Sequence, residues 1–153
     1  MNKKKIRISA VSYLNTIPFI YGIENSPKLL SQIELSKDLP SECARKLINK
    51  EVEIGLIPVA AIPDIPRPHI ITDFCIGAKG KVDSVNLYSD VPLDEIETIL
   101  LDYQSRTSIR LCRLLCEKFW KITPRFISAA ECYESKIQGK TAGVVIGDRT
   151  FKM

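Results

Sequence analysis

The 153-residue sequence is poor in residues that bind metals, and it has no long apolar run. His69 is its only histidine, and Cys112 and Cys116 are its only closely spaced cysteines. A structural zinc site needs four Cys or His ligands, so we expect no metal and assign Cys112 and Cys116 to the core. Every apolar run is far shorter than the roughly 18 to 20 residues that cross a bilayer. We therefore expect no transmembrane helix and no membrane partner.

Features of exported and nucleotide-binding proteins are also missing. The basic residues 2–8 are not followed by an apolar segment with a small-residue cleavage site, so we expect no export. The five cysteines are odd in number and lie in apolar contexts, which is typical of reduced, buried thiols in a cytoplasmic protein. Residues 77–84 contain glycine and lysine but lack the Gly-Lys-Ser/Thr ending of a phosphate loop. We therefore expect a cytoplasmic protein without a P-loop.

The charge balance favours a small anionic ligand. The 22 Lys and Arg residues outnumber the 18 Asp and Glu residues, and the formal net charge is +4. A nucleic-acid-binding protein would show a clustered basic stripe with interleaved aromatic residues, and the sequence has no such stripe. We expect a small anion as the partner and no nucleic acid, and the sequence leaves the oligomeric state open.

The first half of the chain alternates strand and helix patterns. Proline in the first turn and a polar cap predict a helix from Pro18 to Glu24, and Pro40 opens a second helix with one apolar face. Three strands are predicted around these helices, over Lys5–Val11, Ile33–Ser36 and Glu53–Val59. The pattern predicts a βαβαβ lobe, which we assign to residues 1–80.

The second half repeats the alternation, and we assign residues 81–153 to a second α/β lobe. Its longest helix is predicted over the apolar periodicity that ends at Phe119 and Trp120. Strands are predicted over His69–Ile76, at the end of the first lobe, and over Val82–Ser89, Thr98–Leu101, Arg125–Ser128 and Ala142–Ile146. Alternating strands and helices predict parallel sheets that bind ligands at the carboxyl ends of their strands. Because a strand followed by Gly-Asp normally leads into another helix, we expect this lobe to be incomplete at its C-terminus.

A polar segment, Ser12-Tyr13-Leu14-Asn15-Thr16, joins the first strand to the first helix. Free backbone N–H groups at the helix start, with the Ser12, Asn15 and Thr16 side chains, could bind a carboxylate or a hydroxyl. Ordinary helix capping explains the same residues. The segment alone leaves both interpretations open.

Ser105-Arg106-Thr107-Ser108 repeats this arrangement between a strand and the longest helix. Two such helix starts could hold the two ends of a small dianion, with Arg106 as a charged clamp. Capping with an exposed Arg106 is again the alternative. Gly147 and Asp148, at the end of the last strand, are either a ligand contact or a simple turn.

At several points the residues also resemble a known family. Ile8 to Gly22 closely resembles the opening of the menaquinone-pathway chorismate dehydratases of the futalosine route. Further segments resemble that family's motifs in order, namely residues 39–42, 53–60, 75–78, 84–85, 101–108 and 145–148. The Ser-Tyr-Leu-Asn-Thr and Ser-Arg-Thr-Ser elements are specific in combination, and the resemblance spans nearly the whole chain.

The resemblance implies a fold, a reaction and a set of site residues. The fold is a two-lobed α/β fold like the periplasmic-binding-protein type II family, C-terminally truncated here, with chorismate bound between the lobes. The reaction is the dehydration of chorismate to 3-[(1-carboxyvinyl)oxy]benzoate, which requires no metal and no cofactor. The catalytic positions are Asn15 and Ser84. The implied substrate-binding positions are Ser12, Thr16, Ser105, Arg106, Thr107, Ser108, Gly147 and Asp148.

The motifs with Asn15 and Ser84 contain no Glu, Asp or His, so we hypothesise that the enolpyruvyl carboxylate of the substrate takes the ring proton. Asn15 and Ser84 would then orient that carboxylate and the leaving hydroxyl. Three alternatives stay open. They are a small-anion-binding or sensing protein of the same fold, the dihydroxynaphthoate-releasing enzyme of the same pathway, and an inactive fragment.

Overall fold

The computed structural model describes residues 4–153 as two compact α/β units, each with its own sheet. The first unit spans Met1–Lys79 and the second spans Gly80–Met153. The two units are described separately below. None of the helices in residues 4–153 is long and apolar enough to cross a bilayer.

The first unit is built on a three-stranded parallel sheet in the order β2-β1-β3. Its strands are β1 (Ile6–Val11), β2 (Ile33–Asp38) and β3 (Ile54–Gly55), and its helices are α1 (Ile17–Glu24), α2 (Pro27–Leu30) and α3 (Pro40–Ile48). Proline begins α2 and α3 and is the second residue of α1, where its missing N–H leaves no bond unmade. Alternating strands and helices were predicted for this part of the chain, and α2 is an additional element.

Strand β3 is much shorter than the predicted strand over Glu53–Val59. Only Ile54 and Gly55 pair with β1. The chain then reaches Pro58, which has no N–H to donate to a ladder, and a 3-10 helix follows over Val59–Asp64. The apolar run predicted a strand correctly, but the proline ends the strand early.

The strand predicted over His69–Ile76 does not form. Residues 65–84 are all described and contain neither helix nor strand. Ile70 and Phe74 are 81% and 79% exposed, so no neighbouring strand or helix covers them. Residue preferences for strands take effect where a neighbouring strand is available, and no strand of the first unit pairs with this described segment.

The second unit has a four-stranded mixed sheet in the order β4-β7-β5-β6. The elements are β4 (Val85–Tyr88), β5 (Thr98–Leu101), α4 (Thr107–Leu115), β6 (Arg125–Ser128) and β7 (Thr141–Ile146). β5 is parallel to β6 and β7, but β4 is antiparallel to β7. The prediction of purely parallel sheets is therefore wrong for β4. Two parallel strands need a long crossover connection between them, whereas two antiparallel strands do not. The alternation of strand and helix patterns along the sequence does not show which strands pair, so it could not show that β4 is antiparallel to β7.

The longest predicted helix is present but changes its winding. α4 ends at Leu115, and a π-helical segment continues over Cys116–Trp120. Lys121 then adopts a left-handed conformation with a φ of 56° and ends the helical run. The apolar pattern thus predicted the extent of the helical run but not the π-helical winding over Cys116–Trp120.

The core of the second unit lies under β5 and β7. Ile99 and Val145 are fully buried, and Leu100, Tyr133 and Val145 form one cluster. Gly143 leaves the space that Ile137 fills, since a Cβ at Gly143 would lie 2.7 Å from Ile137 Cγ1. Consecutive buried residues in β5 and β7 are typical of strands covered on both faces.

All five cysteines are free, but they are not all buried as the sequence suggested. Cys43, Cys112 and Cys116 are buried, whereas Cys75 and Cys132 are exposed. Cys75 lies in the irregular segment and Cys132 in a turn with a φ of 59°, so an apolar local context did not guarantee burial. Among residues 4–153 the structure groups no three His, Cys, Asp or Glu side chains as metal ligands.

Candidate functional site

The polar segment of the first unit follows the carboxyl end of β1. Ser12 is exposed, and its N–H donates to the carbonyl of Asp38 at the end of β2 at 3.0 Å. Asn15 is also exposed and lies in a 3-10 turn over Leu14–Thr16. Ser12 and Asn15 therefore present their side chains at the sheet edge where ligands of parallel sheets bind.

Thr16 differs from its neighbours because it is fully buried. Its hydroxyl donates to Asn15 Oδ1 at 3.4 Å, and its N–H donates to the Tyr13 carbonyl at 3.0 Å. Thr16 precedes α1, but no side-chain hydrogen bond caps that helix. The buried Thr16 hydroxyl therefore binds the side chain of the exposed Asn15. The polar cap predicted for α1 does not form.

A hydrogen-bonded carboxylate lies next to this segment. Asp38 Oδ2 accepts hydrogen bonds from the Ser9 and Ser36 hydroxyls at 2.7 Å and 2.6 Å, and Lys46 Nζ lies 2.7 Å from both carboxylate oxygens. Burial alone would raise the pKa of Asp38, but Lys46 and the two hydroxyls outweigh it and hold the pKa below its usual value. The network ties β1, β2 and α3 together beneath the Ser12 segment.

Ser84 and Gly147 meet in the second unit. The Gly147 N–H donates to the Ser84 carbonyl at 2.9 Å, and the next residues along, Val85 and Ile146, are paired in the sheet. Gly147 has a φ of 72°, a left-handed conformation that favours glycine, and it opens a 3-10 helix over Gly147–Lys152. Ser84 is half-buried and Asp148 is exposed. The antiparallel pairing thus brings a predicted catalytic residue next to two predicted binding residues.

The Ser105–Ser108 segment forms the start of α4. Ser105 is buried, and its Oγ accepts the N–H of Ser108 at 3.0 Å. Arg106, Thr107 and Ser108 are half-buried. The capping interpretation is therefore correct for Ser105, and the hydroxyls of Thr107 and Ser108 lie on the first turn of the helix.

Asp102 lies between these two segments, and sequence reasoning placed it in a resembling motif without giving it a role in the site. Its side chain is fully buried. Oδ1 accepts the N–H of Gln104 at 2.8 Å, and Oδ2 accepts the N–H of Ile146 at 3.0 Å. The Tyr133 hydroxyl and Arg149 Nη2 lie 3.0 Å and 2.5 Å from the same Oδ2. The carboxylate joins the end of β5 to the end of β7.

Tyr133 and Arg149 compensate the buried charge. Burial and the Asp102 carboxylate raise the pKa of Tyr133 above its ordinary value, so the phenol keeps its one proton, which is shared between the Val144 carbonyl and Asp102 Oδ2. Burial opposes the charge on Arg149, but Asp102 and Glu134 outweigh it and raise the pKa of the guanidinium. Arg149 Nη1 lies 2.7 Å from Glu134 Oε1, and the guanidinium stacks over the Tyr103 ring at 5.3 Å.

The second unit therefore brings Ser84, Gly147 and Asp148 together and links them to the Ser105–Ser108 segment through Asp102. One sequence signal could have indicated Asp102, namely an acidic residue that directly follows the apolar run of β5. The partners Tyr133 and Arg149 gave no comparable signal. Ser12, Asn15 and Thr16 belong to the first unit and form a separate group.

Polar groups at strand ends in two α/β units are typical of proteins that bind small molecules. A family model described as "Menaquinone biosynthesis" matches residues 6–153. The match covers both units, and the chain belongs to this family.

Proposed function

We propose that this protein is a chorismate dehydratase, a lyase that converts chorismate to 3-[(1-carboxyvinyl)oxy]benzoate and water. The observation that carries the proposal is the match of residues 6–153 to the menaquinone biosynthesis family, together with the motifs that resemble its chorismate dehydratases. The substrate is a small dianion, in keeping with the net charge of +4. We also propose a periplasmic-binding-protein type II-like fold, supported by the sheet orders β2-β1-β3 and β4-β7-β5-β6, and a cytoplasmic location, supported by five free cysteines.

The proposed reaction breaks one C–H and one C–O bond of the chorismate ring. The ring proton passes to the enolpyruvyl carboxylate and then to the departing hydroxyl, which leaves as water while the ring becomes aromatic. Aromatisation supplies the driving force, so the protein mainly orients the dianion and excludes water. Asn15 and Ser84 orient the carboxylate and the hydroxyl in this proposal, and the Ser105–Ser108 segment binds a substrate carboxylate.

The state of the acidic residues supports a base supplied by the substrate. Asp102 is buried, and its carboxylate accepts hydrogen bonds from the Gln104 and Ile146 N–H groups and from Arg149. Asp38 is engaged by Ser9, Ser36 and Lys46 in the same way. The protein's own donors therefore occupy the oxygens of both carboxylates, which leaves the substrate carboxylate as the proton acceptor in this proposal. Asp148, which is exposed, is the protein group to test against this proposal.

The decisive experiment is to incubate the purified chain with chorismate and to follow the products by liquid chromatography and mass spectrometry. We expect a product that has lost one water and retained the enolpyruvyl group, above the spontaneous background. Binding without turnover would favour the anion-binding or sensing alternative. Release of dihydroxynaphthoate from a futalosine derivative would favour the other enzyme of the pathway.

The residue assignments are tested by substitution. The double variant Asn15→Ala, Ser84→Ala should lose at least about 100-fold in kcat/KM, since general positioning by polar groups contributes that much. Full turnover by this variant would show the catalytic assignment to be wrong. Asp148→Asn should raise KM for chorismate, as expected of a binding residue, but keep kcat within about threefold, and a loss of about 100-fold or more in kcat would identify Asp148 as the base instead.

A further inference from the structure

The Asp102 carboxylate fixes the turn that carries the proposed anion-binding hydroxyls. Its Oδ1 accepts the Gln104 N–H at 2.8 Å, and its backbone carbonyl accepts the Ser105 N–H at 3.3 Å. Ser105, held in this way, accepts the N–H of Ser108 on its Oγ at 3.0 Å. The first turn of α4 is therefore oriented from the end of β5.

The other carboxylate oxygen reaches the segment around Ser84. Asp102 Oδ2 accepts the Ile146 N–H at 3.0 Å. The next residue, Gly147, donates to the Ser84 carbonyl at 2.9 Å. Asp102 thus contacts both segments that carry the proposed site residues of the second unit, through opposite oxygens of one carboxylate.

The charge pairing secures this connection. A buried carboxylate without compensation is strongly unfavourable, so Asp102 needs the Arg149 guanidinium that lies 2.5 Å away. Arg149 belongs to the same 3-10 helix as Gly147 and Asp148, and Glu134 holds its other nitrogen at 2.7 Å. The charges therefore keep the Gly147–Lys152 helix against the end of β5.

We propose that Asp102 is a positioning residue that holds the Ser84–Gly147 contact and the Ser105–Ser108 turn in one fixed arrangement, so that both act on the same substrate. The identity of the substrate in this inference rests on the proposed function, whereas the arrangement of the two segments around Asp102 does not depend on it. Asp102 is buried beneath the two segments and acts through them. Its removal should loosen both segments together and leave the rest of the sheet in place.

The geometric part is tested by amide hydrogen exchange on the full chain carrying Asp102→Asn. This variant keeps the shape but removes the negative charge that strengthens the hydrogen bonds on both oxygens, and it turns one of the two acceptors into a donor. Exchange should become about tenfold faster or more at both 104–108 and 146–150, which corresponds to the loss of a charged hydrogen bond, while β6 is unchanged. Glu97→Gln is the control, because it breaks an exposed ion pair with Lys140 in the same unit. Faster exchange in only one segment, or throughout the unit, would overturn the proposal.

If Asp102→Asn does not fold, Tyr133→Phe gives a milder test. It removes the hydroxyl that lies between Asp102 Oδ2 and the Val144 carbonyl, and it leaves the charge pair with Arg149 intact. Both segments should then exchange about two- to fivefold faster, as expected for the loss of one neutral donor. An effect confined to the surroundings of Tyr133 would contradict the proposal.

The functional part is tested by a double-mutant cycle with chorismate. Asp102→Asn and Ser105→Ala should each raise KM for chorismate, and the double variant should have a KM close to that of the worse single variant. If Asp102 had a purely stabilising role, the increase in KM of the double variant would instead be the product of the two single increases. If the wild-type chain does not consume chorismate, the proposed function fails, and the exchange experiment still decides on Asp102.

Discussion

Asp38 and Asp102 occupy comparable places in the two units. Asp38 ends β2 and Asp102 directly follows β5, and both carboxylates are engaged by several donors. Each is neutralised by one cation, Lys46 or Arg149. At the scale of single residues, the Asp102 carboxylate binds backbone N–H groups, whereas the Asp38 carboxylate binds side chains of β1, β2 and α3.

Replacing Asp38 by asparagine tests this role in the first unit. Asp38→Asn should lower the free energy of unfolding by about 1–3 kcal/mol at neutral pH, since three donors lose a charged acceptor. The folded-state pKa of Asp38 lies below its ordinary value of 3.8. The stability that Asp38 contributes is therefore present above that value and lost as the pH falls through the folded-state pKa.

Denaturant titrations of both proteins between pH 7 and pH 2 check this prediction. The difference between wild type and Asp38→Asn should be constant near neutrality and should shrink on acidification below about pH 4. Glu24→Gln breaks an exposed ion pair with Lys37 and should change stability by less than about 0.5 kcal/mol. A difference that grows on acidification would contradict the assignment.

Gly147 gives a second prediction for a single residue. Gly147→Ala should destabilise the protein by about 1–2 kcal/mol, because alanine is disfavoured at a φ of 72°. Gly22→Ala is the matched control, since Gly22 lies in α1 and a Cβ there would meet nothing within 4 Å. That control should raise stability by about 0.5–1 kcal/mol. Equal effects of the two variants in denaturant titrations would contradict the assigned role of Gly147.

At the scale of elements, local apolar patterns predicted well those strands that pair with neighbouring strands in a sheet. The bounds of β5 and β6 match the sequence predictions of Thr98–Leu101 and Arg125–Ser128. The prediction over His69–Ile76 is wrong, since that segment has the same preferences but no partner strand. Pairing partners and strand direction depend on contacts between residues far apart in sequence, and no local pattern carries them.

The start of α4 gives a prediction for an element. Ser105→Ala removes the hydrogen bond to the Ser108 N–H, so the free energy of unfolding should fall by about 1 kcal/mol. Ser128→Ala at the exposed end of β6 serves as the control and should change it by less than about 0.5 kcal/mol. Urea titrations of the two variants provide the comparison, and similar values for both would argue against capping by Ser105.

At the scale of the whole molecule, the sequence predicted two α/β parts and most candidate residues but not how those residues are connected. Ser84 and Gly147 are distant in sequence and meet because β4 pairs with β7. Asp102 links a third segment through contacts with Ile146 and Arg149. Such connections depend on tertiary packing, which is why the resemblance indicated the segments, Asp102 included, and only the structure showed what the Asp102 carboxylate connects.

Residues 65–84 give a prediction for the whole chain. Lys79 and Lys81 are exposed and lie outside helices and strands, while Arg67 precedes a proline that blocks trypsin. Limited trypsin digestion should therefore divide the chain first after Lys79 or Lys81 into two large fragments. Mass spectrometry identifies the cuts. The double variant Lys79→Gln, Lys81→Gln should slow this division about tenfold, and early cuts within α3 or α4 would contradict it.

The central position of β7 has a consequence during synthesis on the ribosome. All three strands of the first sheet have been made once Gly55 has emerged, so that unit can form while translation continues. Among residues 4–153, β4 pairs with β7 alone, and the synthesis of β7 begins about fifty residues after β4 ends. At a translation rate of roughly 5–20 residues per second, β4 therefore remains without its pairing strand for about 3–10 s. The nascent second unit is thus the part of the chain most exposed to misassociation before it folds.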